Sequence, residues 1–247
     1  MTQATHAELR TAQEVIRDTR VDQSPNGICY TTAGEINLPS AELETMIAAV
    51  PRAIAAALDR KAFYFVPLTV SDGDKTLIAE RYDSSLGDRA ICHRNIDSGD
   101  SQCVFISTRL LDDRFSIAFE FYINVGHAFV DKAGVSAEFA ELVWKQAQSG
   151  VRGETSVDAF EFRKQATGDN SGRVDEKARS DYATATFSDA IAIYLLSLYL
   201  DVDYYDLRER EYPLLSPSAL GERLKKVAEI FPPNPGFQFN LFYRRRS

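Results

Sequence analysis

The sequence predicts an α+β fold in which a small mixed sheet packs against several helices. Runs rich in aromatic and β-branched residues at 62–70 and between 89 and 111 are typical of strands, and polar turn segments separate them. The apolar run at 114–134 contains many aromatic residues, yet its length and its closing Gly134 favour a buried helix. A second long apolar run, at 182–201, also predicts a helix.

Shorter amphipathic segments add further predicted helices on both sides of these runs. They lie at 7–20, from 40 onwards, after Pro51, at 136–150 and from 218 onwards. The chain shows no internal repeat, no low-complexity tract and no evident linker. We therefore expect an N-terminal arm with a short helix at 1–39, followed by one domain at 40–247.

Composition excludes several classes of function. The 247 residues carry a formal net charge of -8, which disfavours binding to a phosphate backbone. Three sparse cysteines indicate no disulfide framework, and the N-terminus lacks the apolar core of a signal peptide. No apolar run reaches the length of a membrane span. These features predict a soluble cytoplasmic protein without a nucleic-acid or membrane partner.

Three segments, in this order, carry a resemblance to a known family. They are INVGHAFVD at 123–131, ATFSDAIAIYLL at 185–196 and YPLLSPSALGERL at 212–224. Together they resemble the anthrax lethal factor-like zincin metallopeptidases. In those proteins one helix carries H-E-x-x-H, a later helix supplies the third zinc ligand, and a proline-containing segment and a final helix follow. The resemblance implies a zincin-like fold that includes a degenerate metal helix.

Position by position, the catalytic set is incomplete. The second histidine of the family motif matches His127, whereas the first falls on Ile123 and the catalytic glutamate on Asn124. The third zinc ligand falls on Ala185, while a second acid of the later helix is retained as Asp189. Because a zinc hydrolase needs three protein ligands and a base, the resemblance implies neither a working zinc site nor another cofactor.

The candidate site residues follow from this comparison and from helical spacing. Glu120, Asn124, His127 and Asp131 recur at intervals of three or four residues and predict one polar stripe, either the floor of a pocket or a solvent-facing surface. Asp189 stands among apolar residues and is the natural partner for the His127 ring.

Two further features are weaker candidates. Tyr182, just before the second motif, is a candidate for ligand binding or a structural residue. Cys92 and His93 suggest a Cys-His nucleophile, but adjacent residues of a strand point to opposite faces, which disfavours that chemistry.

The predicted function is that of a catalytically degenerate zincin, a pseudoenzyme whose former cleft or an adjacent surface binds a protein or a small molecule. The resemblance favours this because degenerate partner-binding domains occur within the family. One alternative is metal-independent acid–base chemistry, with His127 as acid or base, Asp189 orienting it and Asn124 or a tyrosine steering the substrate. A second alternative is a peptidase with an unusual metal shell.

Overall fold

The computed structural model describes residues 8–168, 174–207 and 212–240. The contacts divide the chain into two compact units, residues 1–121 and 122–247, and the division falls inside one long helix. Helices combined with two sheets confirm the α+β class. The structure differs from the prediction in having two sheets where we expected one.

All the strands of the described residues lie in the first unit. They are β1 (Leu9–Thr11), β2 (Asp22–Gln23), β3 (Cys29–Thr32), β4 (Lys61–Val66), β5 (Leu68–Asp72), β6 (Lys75–Ala79), β7 (Ala90–Ile91), β8 (His93–Ser98) and β9 (Ser101–Ser107). One sheet has the order β1-β6-β5-β7 and is antiparallel throughout. The other has the order β2-β3-β4-β9-β8, with a parallel centre and antiparallel edges.

The predicted strand at 62–70 is in fact two strands that belong to different sheets. β4 ends at Val66 and β5 begins at Leu68, so the break falls on Pro67. Proline has no backbone N–H and a fixed φ, so it interrupts the hydrogen bonding of a ladder. Both parts are buried because β4 occupies the centre of the mixed sheet and β5 an inner position of the antiparallel one.

The helices that lie wholly in the first unit are α1 (Ala12–Asp18), α2 (Ser40–Ala48), α3 (Arg52–Ala55) and α4 (Thr108–Leu111). Two short 3-10 helices, Ala56–Leu58 and Ser84–Arg89, also lie in this unit, and another, Tyr204–Leu207, lies in the second unit. α1 is shorter than predicted because Thr11 caps it in a capping box with Glu14. The stretch that the sequence suggested as an arm thus supplies three strands of the first unit as well as α1.

The long helix α5 runs from Arg114 to Ala133, as predicted. Within the first unit its Phe121 packs on β4, with ring centroids 4.9 Å from Phe63 and 5.7 Å from Phe65. These aromatic contacts explain the apolar composition that made this segment look like a strand, because a buried helix face needs the same residue types.

The second unit contains the remainder of α5 and four more helices among its described residues. They are α6 (Ala137–Gln148), α7 (Val157–Thr167), α8 (Glu176–Tyr199) and α9 (Pro217–Ile230). α8 is buried along most of its length, and its Phe187 packs against Phe129, Phe139 and Phe231. α7 was not predicted because only Ala159 and Ala166 of its residues are buried, which leaves no apolar stripe.

α5 and α8 approach closely at Gly126. A Cβ at this position would lie 2.6 Å from the carbonyl oxygen of Ser188, so only glycine permits this distance between the two helices. Among the described residues, no helix combines the length and the apolar character needed to cross a bilayer.

Candidate functional site

The most elaborate polar arrangement of the second unit surrounds Glu154, whose side chain is fully buried. Glu154 lies between α6 and α7, where its backbone forms an isolated bridge with Leu214. Gly153 allows this approach, because its φ is +86° and a Cβ there would stand 2.2 Å from the Leu214 carbonyl oxygen. The backbone thereby fixes one carboxylate inside the helical unit.

Three side chains from three helices converge on that carboxylate. Arg223 of α9 donates from Nη1 to Oε2 at 2.8 Å and from Nη2 to Oε1 at 3.4 Å. Tyr182 of α8 donates its hydroxyl to Oε1 at 2.7 Å, and Arg163 of α7 donates from Nη1 to the same oxygen at 3.0 Å. Both oxygens of Glu154 are therefore engaged by charged or hydroxyl donors.

Gln146 extends the network to α6. Its Oε1 accepts from Arg223 Nε at 2.8 Å, and its Nε2 donates to Glu222 Oε2 at 2.9 Å. Arg223 thus uses all three guanidinium nitrogens, since Nη2 also donates to the Tyr182 hydroxyl at 3.0 Å. Every helix from α6 to α9 contributes at least one side chain to this network around Glu154, which we call the Glu154 cluster.

Burial and charge set the protonation states of the Glu154 cluster. Burial opposes the charge of Arg223, yet the neighbouring Glu154 and Tyr182 raise its pKa above the ordinary value. Burial is also the main cause that raises the pKa of the Tyr182 hydroxyl, which stays protonated. Arg223 therefore stays charged and Tyr182 stays protonated, and their hydrogen bonds to Glu154 join helices of the unit.

The candidate residue Tyr182 belongs to this cluster. Its side chain is fully buried, and its hydroxyl both donates to Glu154 and accepts from Arg223. Sequence reasoning did not find Glu154 or Arg223. A signal existed for Arg223, because it falls between Leu220 and Val227 on the buried face of α9, where an arginine needs a partner.

His127 and Asp189 lie on α5 and α8 of the second unit. His127 is exposed and interacts electrostatically with the Asp189 carboxylate. The hydrogen-bond donors to Asp189 are hydroxyls, those of Thr155, at 2.8 Å, and of Ser156. Within the described residues His127 and Asp189 share no hydrogen bond and no ion pair within 4.0 Å. Burial is the main cause that raises the pKa of Asp189, and the hydroxyls oppose it.

The other positions of the predicted polar stripe differ in exposure. Asn124 is buried and Asp131 is exposed, and both lie in the second unit with His127. Glu120 lies in the first unit, where its Oε1 stands 2.5 Å from Nδ1 of His93 on β8. The stripe therefore contains buried and exposed groups, and Glu120 has a partner of its own.

The Cys92 thiol of the first unit is also near Glu120. Burial, and then the negative charge of Glu120, raises its pKa above the ordinary value. A nucleophilic cysteine needs the opposite shift, toward the thiolate. The contact of Glu120 with His93 joins the first-unit part of α5 to β8, and it does not activate this thiol.

Potential metal ligands do not cluster in the described parts of the chain. These residues contain no group of three or more His, Cys, Asp or Glu side chains that could hold a metal ion.

No family model matches this chain, and comparisons with curated proteins and with solved structures find no match. The zincin resemblance accordingly rests on the three motif segments alone.

Proposed function

We propose that this chain is a catalytically inactive relative of the zincin metallopeptidases that binds a partner through the second unit. The observation that supports this best is the state of Asp189, the retained acid of the motif. Hydroxyl groups of Thr155 and Ser156 engage its carboxylate, which places it in the framework of the unit. Because these hydroxyl donors already hold the carboxylate, Asp189 serves as a structural group and not as a free ligand for a metal ion.

The neighbouring motif positions support the same proposal. Ile123 has no donor atom for a metal, and the amide of Asn124 cannot accept a proton at neutral pH. The close contact of α5 and α8 at Gly126 nevertheless keeps the two motif helices packed together. Loss of reactive groups with retention of the packed scaffold is the pattern expected of a binding protein derived from an enzyme.

Restoring the missing groups tests the ancestry. In the variant Ile123→His/Asn124→Glu/Ala185→Glu, we expect one bound zinc ion per chain by elemental analysis and a zinc-dependent rise in Tm. The same substitutions combined with His127→Ala should bind zinc far more weakly, because one of the three ligands is lost. A folded triple variant that binds no zinc contradicts the zincin assignment.

Two precautions make the zinc test decisive. If the buried glutamate at position 185 prevents folding, Ile123→His/Asn124→Glu alone supplies two imidazoles and should still bind zinc more weakly. The unmodified chain serves as the reference. Stoichiometric zinc in that chain, together with hydrolysis of a casein substrate, would instead favour a peptidase with an unusual metal shell.

A second candidate function, acid–base chemistry at His127, has one observation in its favour. The imidazole is exposed and interacts with the Asp189 carboxylate, so it is accessible to a substrate. A panel of ester, amide and phosphate substrates tests it. Activity lost in His127→Ala and kept in His93→Ala, a substitution of another exposed histidine, would favour this reading over the binding role.

A further inference from the structure

An open groove in the second unit lies between α6 and the first turns of α8. Its volume is about 230 Å³, and it is lined on one side by Val135, Ala140, Val143 and Trp144, and on the other by Glu176 and Arg179. The groove is smaller than the roughly 300–1,000 Å³ of sites that enclose a small molecule or cofactor. It matches one or two side chains of a segment that lies across the surface.

The guanidinium of Arg179 lies over the indole of Trp144, with 4.9 Å between its Cζ and the ring centroid. This cation–π contact holds the guanidinium beside the groove and does not use its N–H groups, which stay available for hydrogen bonds. The one acceptor it contacts among the described residues is Glu176, whose Oε2 lies 3.5 Å from Nη1. Among the described residues, Nε and Nη2 of Arg179 have no acceptor, whereas all three guanidinium nitrogens of Arg223 donate hydrogen bonds.

The start of α8 cannot serve as the anion site in place of Arg179. The side chain of Asp175 caps this helix by accepting from the backbone N–H groups of Lys177 and Ala178 at 3.0 Å. Two donors of the first turn are thus already used, and the Asp175 carboxylate repels a second anion at this helix end. Recognition of a negative group in the groove depends on the guanidinium edge, which matches a carboxylate in a two-point contact.

We infer that this groove binds a segment of a partner protein in which an aliphatic side chain stands next to a carboxylate. The aliphatic group would lie against Val135, Ala140 and Val143, and the carboxylate would accept from Arg179. This inference rests on the proposed binding role and names the chemistry of its partner. The size of the groove favours a peptide segment over a whole small molecule.

Glu176 opposes the binding of such a segment. Its side chain is 75% exposed and that of Arg179 is 41% exposed, so their 3.5 Å contact is a weak surface pair. An incoming carboxylate can replace Glu176 at a small cost in free energy and then accepts hydrogen bonds from the Arg179 guanidinium. Removing the charge of Glu176 should therefore strengthen binding, whereas removing that of Arg179 should weaken it.

Trp144 provides a direct measurement, because it is the single tryptophan of the chain and lines the groove. The probe is a peptide pool, acetyl-Gly-Φ-Asp-Gly-amide with Φ as Leu, Ile or Val, and the control pool has Asn in place of Asp. We expect saturable changes in Trp144 emission with the Asp pool at about millimolar concentration. The Asn pool should bind about tenfold more weakly, since its contact with Arg179 lacks the carboxylate charge.

Three variants of the full chain give the charge dependence. Arg179→Gln should lower the affinity for the Asp pool about tenfold and remove the preference over the Asn pool. Glu176→Gln should raise the affinity. Lys177→Gln, which changes the charge of an 87% exposed side chain outside the groove, should leave it unchanged. Circular dichroism checks that each variant folds.

Several results would overturn the inference. Equal binding of the Asp and Asn pools, or no response to either, removes the carboxylate assignment. Equally tight binding of 4-methylpentanoate alone would identify a free carboxylic acid as the ligand and exclude the peptide. The zinc experiment uses other residues, so zinc binding by the triple variant without peptide binding would refute this groove and leave the zincin assignment standing.

Discussion

Replacing Glu154 with glutamine should destabilise the second unit severely. The substitution preserves shape but removes the negative charge that faces Arg223, which is fully buried, and Arg163. The NH₂ group of the new glutamine would also face a donor group of Arg223, Arg163 or Tyr182, with which it cannot form a hydrogen bond. Removing one partner of a buried pair costs about 3–5 kcal/mol, because the other charge stays desolvated without compensation.

Two other substitutions provide a comparison for this loss of unfolding free energy. Arg223→Met should cost less, because Glu154 would keep its contacts with Arg163 and Tyr182. Glu161→Gln serves as the matched control. It removes a carboxylate of α7 that is half-exposed and pairs with Lys164 at 3.2 Å, and such a pair is worth less than about 1 kcal/mol.

Urea unfolding followed by Trp144 emission measures this loss within the second unit, where the tryptophan lies. A local probe is needed because a chain with two compact units need not unfold in one step. With a slope of about 2 kcal/mol per molar urea, the Glu154→Gln midpoint should fall by roughly 1.5–2.5 M. A loss below about 1 kcal/mol, or one no larger than that of Glu161→Gln, would refute the role assigned to the buried charge.

Three further outcomes follow from the same unit. Burial raises the pKa of Asp189 above its ordinary 3.8, so the folded state binds this proton more tightly than the unfolded chain and loses stability as pH rises through that window. Asp189→Asn should therefore gain stability relative to the unmodified protein as the pH rises above about 4, and a pH-independent difference would contradict this. Gly126→Ala should lower the free energy of unfolding by about 1–3 kcal/mol although alanine favours helices, because its Cβ would strike the Ser188 carbonyl; a higher thermal midpoint would show that the helices separate freely. Tyr182→Phe should cost about 1–3 kcal/mol in urea unfolding by leaving Glu154 without its hydroxyl donor, and an unchanged midpoint would mean that this hydrogen bond is not needed.

Sequence patterns predicted those parts of the fold in which one segment dictates its own structure. The helices at α5, α6 and α8 were found because their apolar residues recur over many turns. α7 was not predicted because only Ala159 and Ala166 of its residues are buried, so no apolar stripe marks it. The division of the predicted strand at Pro67 was also missed, because apolar runs on both sides of a proline look continuous.

Less of the candidate site than of the fold could be predicted from the sequence. His127 and Asp189 were located by motif, and the structure places them on two helices of one unit with an electrostatic interaction. The hydroxyls that engage Asp189 come from the start of α7, a helix the sequence did not reveal. Glu154 had no sequence signal at all, since a lone acid in a glycine-containing turn is usually exposed. Its role arises from contacts with residues that follow it by 9 to 69 positions in the chain.

The Glu154 cluster also sets an order of events during protein synthesis. Arg163 follows Glu154 by nine residues, whereas Arg223 follows it by 69. At about 5–20 residues per second, the second guanidinium arrives roughly 3–14 seconds after the carboxylate it will neutralise. During that interval the nascent helices have an incomplete core, which α9 alone can close. A nascent chain that stops before α9 would therefore present an unfinished polar interior, a state well suited to capture by chaperones.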